Sequence, residues 1–214
     1  MPDSHHTTLY LARHGQSESN NQGLVTGQLD VGLSPKGQDQ SRALAQCLHE
    51  EPLAASTPAR CGARSTRRSR RPRPKQCRSS RCPRSTKSTW ACCRAAIATS
   101  ATPRAQALWA QWQTDSWGFR VPGGEGMDEF AQRVESVLHE LLQRYRGQRI
   151  LIVGHRATNR VLLGTLLGWP RERWGEIRLR NKFFYRVEPG EPVRIATISL
   201  SGSKTGQCVD GFVM

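Results

Sequence analysis

The chain has 214 residues, enough for one domain with a buried core, and a formal net charge of +15. Such an excess suggests a polyanion partner, but residues 56–104 carry 14 Lys and Arg and no Asp or Glu, which leaves the rest near +1. No run of about 18 apolar residues exists to span a membrane. The start "MPDSHHTTLYLARHG" lacks the basic region and apolar run of a secretory signal, so a reducing cytoplasm is expected.

In chain order, "TTLYLAR" (7–13) reads as a short buried strand ending at His14-Gly15. Residues 16–33 are polar and loop-like. "LSPKGQDQSRALAQCLHEE" opens with Ser34-Pro35, a helix cap and first-turn proline, and Ala43, Leu44 and Leu48 then recur at helical spacing. Residues 57–89 are almost devoid of apolar side chains. Cys61, Cys77, Cys82, Cys92 and Cys93 fall in or just beyond that stretch. They form no paired C-x-x-C framework and have no histidine nearby, so no zinc site is expected.

Order returns with "ALWAQWQTD", which is compatible with a helix. The glycine-rich "VPGGEG" precedes a strong helix whose stripe is Phe130, Val134, Val137, Leu138, Leu141 and Leu142. "RILIVGH" is a second buried strand, ending in Gly154-His155, and "ATNRVLLGTLLG" is the helix after it. "NKFFYRVEP" and "VRIATIS" alternate as late strands toward a sheet edge. Strands alternating with helices make an α/β fold with a mostly parallel sheet.

Two strands thus end in a histidine. Ligands of open α/β sheets gather at the carboxyl ends of the strands, so His14 and His155 are expected to meet there. Arg13 adds a permanent planar cation suited to phosphate. A neutral imidazole is a competent nucleophile toward phosphorus, and fixed positive groups stabilise charge on the phosphoryl oxygens. An isolated R-H-G tripeptide is common; the ordered combination is what carries the reading.

That combination, "RHGQSESN", "GQLDVGLSPKG" and a later strand-G-H-helix, resembles the histidine phosphatase superfamily, over residues 8–55 and about 106–187. The resemblance implies a three-layer phosphoglycerate mutase-like fold, helices on both faces of the sheet, as a single domain over 1–214 whose core is incomplete at 56–104. It implies that His14 is phosphorylated, that Arg13 and His155 complete part of the phosphate pocket, and that Asn20, Thr26 and Gly27 lie near phosphate or substrate. "PGGE" at Pro122–Glu125 matches a recurrent family loop. "GHRATNR" departs from it, because Arg156 stands where H-G is usual. No metal or cofactor is implied, and the partner is a small phosphorylated metabolite, without membrane or specific nucleic-acid binding.

Two family groups are missing: an arginine in [YF]-x-S-P-L-x-R-A-x-x-T-A, and an acid in E-x-x-x-G-x-x-x-G that protonates the leaving alcohol. Both belong where the basic segment lies. Reading the third base of each codon with the first two of the next converts Thr57–Arg68 to Y-A-S-P-L-R-R-A-x-x-T-A within codon degeneracy. Lys87–Ala95 becomes E-[IV]-D-x-G-x-L-Q-G. The Gly at 91 is forced, because Trp90 has one codon. A genuine basic insertion is the alternative, but two motifs in order and register favour a frame change near Ala55, compensated between about 97 and 105.

The expected activity is phosphomonoester hydrolysis through a phosphohistidine on His14, impaired in the chain as printed. Mutases of this family usually place Arg after the acid. Here that residue is Ile, Val, Lys or Glu in the alternative frame, and the interval to "PGGE" is short, which favours a phosphatase. The alternatives are a phosphoglycerate mutase, a pseudoenzyme, or a polyanion binder acting through the basic segment, whose single aromatic, Trp90, offers little specificity.

Overall fold

The computed structural model describes residues 7–18, 32–57, 103–115, 118–120 and 125–213. Most of the basic segment lies outside these residues, as do Asn20, Thr26, Gly27 and Pro122–Gly124. The chain order is β1 (Thr8–Arg13), α1 (Pro35–Cys47), β2 (Leu53–Thr57), α2 (Pro103–Thr114), α3 (Met127–Arg144), β3 (Arg149–Gly154) and α4 (Arg156–Leu166). A 3-10 helix (Arg171–Glu176) then leads to β4 (Phe183–Glu188), β5 (Arg194–Ser199) and β6 (Cys208–Asp210).

The six strands form one sheet in the order β2-β3-β1-β4-β5-β6. β2, β3 and β1 pair in parallel, and the pairs β1–β4, β4–β5 and β5–β6 are antiparallel. Four described strands therefore run one way, and β4 and β6 oppose them. The parallel part holds the histidine-ended strands. β4 is not at an edge: it lies beside β1, and Phe184, Tyr185 and Val187 are each at most 1 % exposed.

The pleat of β1 divides the core. Leu9 and Leu11 point to one face, where Phe130, Val134 and Leu138 of α3 and Val161 to Leu163 of α4 cover them. Tyr10 and Ala12 point to the other, against Ala43, Leu44 and Leu48 at α1. Alternating side chains on a strand buried from both sides require this arrangement. The apolar stripe of α3 is the expected one, though Val137, Leu141 and Leu142 are only half-buried. Among the described residues no helix is long and apolar enough to cross a membrane.

The N-terminus of α1 forms as its sequence dictates. Ser34 is the N-cap, its Oγ accepting the Gly37 N–H at 3.1 Å, and Pro35 occupies the first turn. The glycines of "RHG" and "SPKG" have a shared cause. A Cβ on Gly15 would strike the Gly37 carbonyl, and a Cβ on Gly37 would strike the Gln16 backbone. The two segments pass too close for any side chain.

Because Leu11 is fully buried in the larger cluster, Leu11→Ala should lower the unfolding free energy by about 2–5 kcal/mol in urea titration. Val209→Ala, at a side chain 55 % exposed, should change it by about 0.5 kcal/mol or less. Equal losses would contradict this assignment of the core.

Candidate active site

β1 and β3 are adjacent and parallel, with Arg13 opposite Gly154. The residues that follow, His14 and His155, are therefore delivered side by side at the carboxyl edge of the sheet. The His14 N–H donates to the Gly154 carbonyl at 3.1 Å, extending the ladder one step past the strand. The two imidazoles lie edge to face, with ring centroids 4.7 Å apart.

Further bonds hold the His14 loop. Asn181 Nδ2, in the turn before β4, donates to the His14 carbonyl at 2.9 Å. The Gln16 N–H donates to Gln40 Oε1 of α1 at 3.0 Å, and Ser34 Oγ donates to Gln16 Oε1 at 3.1 Å. Asn159 of α4 is fully buried, and its Nδ2 donates to the Ala12 carbonyl at 2.8 Å, tying the helix that follows His155 to the strand that precedes His14. A Cβ on Gly154 would collide with the Asn159 side chain, so the glycine before His155 is a packing requirement.

His14 Nδ1 is 2.8 Å from the Gly15 carbonyl. A carbonyl only accepts, so Nδ1 carries the proton and Nε2 of the neutral ring keeps its lone pair. Burial pushes the His14 pKa below the usual imidazole value. The Gly15 hydrogen bond opposes that shift, and the Arg13 cation adds to it. The net lowering, led by burial, favours a neutral imidazole.

Arg13 Nη1 donates to the Leu179 carbonyl at 3.3 Å, and its Nε is buried without a partner among the described residues. Burial, and then the neighbouring Arg156, lower its pKa. A guanidinium stays cationic under such shifts, so Arg13 offers an unsatisfied donor to an anion. His155 is the N-cap residue of α4 and Arg156 its first residue, with no side-chain cap hydrogen bond; the start of a helix favours an anion.

Of the residues expected at the site, Arg13, His14 and His155 come together, whereas Asn20, Thr26 and Gly27 fall outside the described residues. Asn159, Asn181 and Gln40 were not anticipated. Gln40 and Asn159 carried one usable signal: polar side chains on helix faces that the sheet buries. Glu125 of "PGGE" is held by Arg133 of α3 in a bidentate pair, both contacts 2.8 Å. Among the described residues no three His, Cys, Asp or Glu side chains converge as metal ligands.

Residues 9–66 and 95–194 match the model of the histidine phosphatase superfamily (branch 1). The "Probable phosphoglycerate mutase GpmB" of Photorhabdus laumondii is 32 % identical over 185 residues, covering 84 % of each chain. Two solved structures share the fold. One, an Escherichia coli protein provisionally named an alpha-ribazole-5'-P phosphatase, has a TM-score of 0.62 at 18 % identity, covering 94 % of this chain and 99 % of its own. The other, a mycobacterial glucosyl-3-phosphoglycerate phosphatase, has a TM-score of 0.56 at 18 % identity, covering 88 % and 96 %.

Because burial is the leading cause of the His14 shift, its ring protons should titrate by NMR with a pKa below the usual value of about 6.5. A His14→Ala spectrum identifies the signal. Arg13→Gln should move the pKa part of the way back up. A His14 pKa above the usual value would contradict the neutral, Nδ1-protonated ring.

Proposed function

The chain belongs to the histidine phosphatase superfamily, and on that premise we propose that it is a phosphomonoester hydrolase working through a phosphohistidine on His14. The observation that carries the proposal is the juxtaposition of the two imidazoles at 4.7 Å beside the cationic Arg13. His14 Nε2 attacks phosphorus while Nδ1–H stays on the Gly15 carbonyl. The ring becomes cationic as the N–P bond forms, and that hydrogen bond stabilises the charge. Arg13, His155 and the N-terminal amides of α4 take the phosphoryl oxygens, stabilising charge that grows toward the transition state.

The bond from phosphorus to the ester oxygen breaks, and the departing oxygen needs a proton. Water then attacks the phosphohistidine, releases phosphate and regenerates Nε2. In the frame-shift reading, the proton donor is the acid lost at Lys87, and a further phosphate-binding arginine is lost at Ala63. Resequencing the gene tests it: an unbroken frame encoding residues 56–104 as printed would overturn a sequencing error.

The relatives named as phosphoglycerate mutases favour a second reading, in which the phosphoryl group returns to a sugar acid. Free phosphate released from varied monoesters supports the hydrolase; isomerisation without net release supports the mutase.

With the frame restored, turnover should exceed that of the printed chain by about 10²–10⁴, the usual contribution of general acid catalysis. His14→Ala in the restored protein should abolish it. Comparable turnover before and after restoration would contradict the missing-acid account.

A further inference from the structure

Beside the histidine pair, and sharing Arg13 with it, lies an open cleft of about 340 Å³. It is bounded by the His14 loop, the N-terminus of α1, the turn before β4 and the segment after β5. Its charged lining is Arg13, Lys36, Arg180 and Lys182, and among the described residues no carboxylate lines it. Several arginines elsewhere are paired with carboxylates: Arg133 with Glu125, Arg149 with Glu51, Arg171 with Glu135 and Asp128. None of the four cleft cations has a carboxylate partner among the described residues, and the first turn of α1 holds no acid.

Gathering like charges in a concavity costs energy in the empty protein and focuses a positive potential there. Lys182 is steadied by the Phe183 ring, 4.9 Å from its ammonium. The cleft floor is also rigid: Gln40 and Asn181 line it and are bonded to the His14 loop. The volume lies within the range of small-molecule sites, about 300–1,000 Å³.

We propose that this cleft receives a second anionic group of the substrate, a phosphate or carboxylate, while the reacting phosphoryl group sits at the histidines. The substrate class is then a phosphate ester carrying a second negative charge. This rests on the phosphatase reading for the placement of the first phosphate, but binding in the cleft is measured apart from turnover.

The experiment titrates the full chain calorimetrically with propyl phosphate and with propane-1,3-diyl bisphosphate. The variants are Arg180→Gln/Lys182→Gln and, at the opposite edge of the sheet, Arg146→Gln. Circular dichroism verifies that both fold. The unaltered chain should bind the bisphosphate about tenfold more tightly, the effect of one charge-assisted contact. That preference should fall toward unity in the double variant and persist in Arg146→Gln. Equal binding of the two esters by the unaltered chain, or a preference that survives the double substitution, would overturn the cleft. Preference with no phosphate release from the frame-restored protein would support the cleft and count against the hydrolase.

Discussion

The structure depends on the parallel pairing of β1 with β3, carried one residue past the strand by the hydrogen bond from the His14 N–H to the Gly154 carbonyl. In that register the two strands expire together and each hands its next residue, a histidine, to the same edge. A slip of one residue would turn Leu9 and Leu11 away from α3 and α4 and expose the face they share. The core thus defends the register, and the register places the site. Asn159 adds a second lock by bonding α4 to the Ala12 carbonyl just before Arg13.

The immediate surroundings of His14 follow one logic. The loop is held through its backbone, by Asn181 at the His14 carbonyl and Gln40 at the Gln16 N–H, while the imidazole is hydrogen-bonded at Nδ1 to the Gly15 carbonyl. Burial keeps the ring neutral, while cations nearby are arranged for an anion. A protonated imidazole would be repelled by Arg13 and would lack a lone pair. In the proposed mechanism, the same electrostatics that depress the His14 pKa serve both the attack on phosphorus and the reception of phosphate.

Much of this was legible before any coordinates. The two histidine-ended strands show as apolar runs closed by G-H or H-G. Ser34-Pro35 announced the start of α1, and the stripe from Phe130 to Leu138 announced α3. Other parts carried no local signal. β2, "LAAST", is built of small residues without alternation and exists because β3 offers it an edge. β6, three exposed residues, is likewise paired only through β5. Reading β4 as edge-directed missed that its Phe184, Tyr185 and Val187 are buried by two layers at once. The bonds of Gln40, Asn159 and Asn181 span 24 to 167 residues, a separation that no local pattern reports.

The central claim is that His14 is the group that takes the phosphoryl. The direct measurement is to mix the frame-restored protein with a phosphomonoester, quench in alkali to preserve the N–P bond, and locate the added phosphate by peptide mass spectrometry. The account predicts phosphate on the His14 imidazole within a turnover. Phosphate on His155 or another residue, or turnover with no phosphoenzyme, would contradict it.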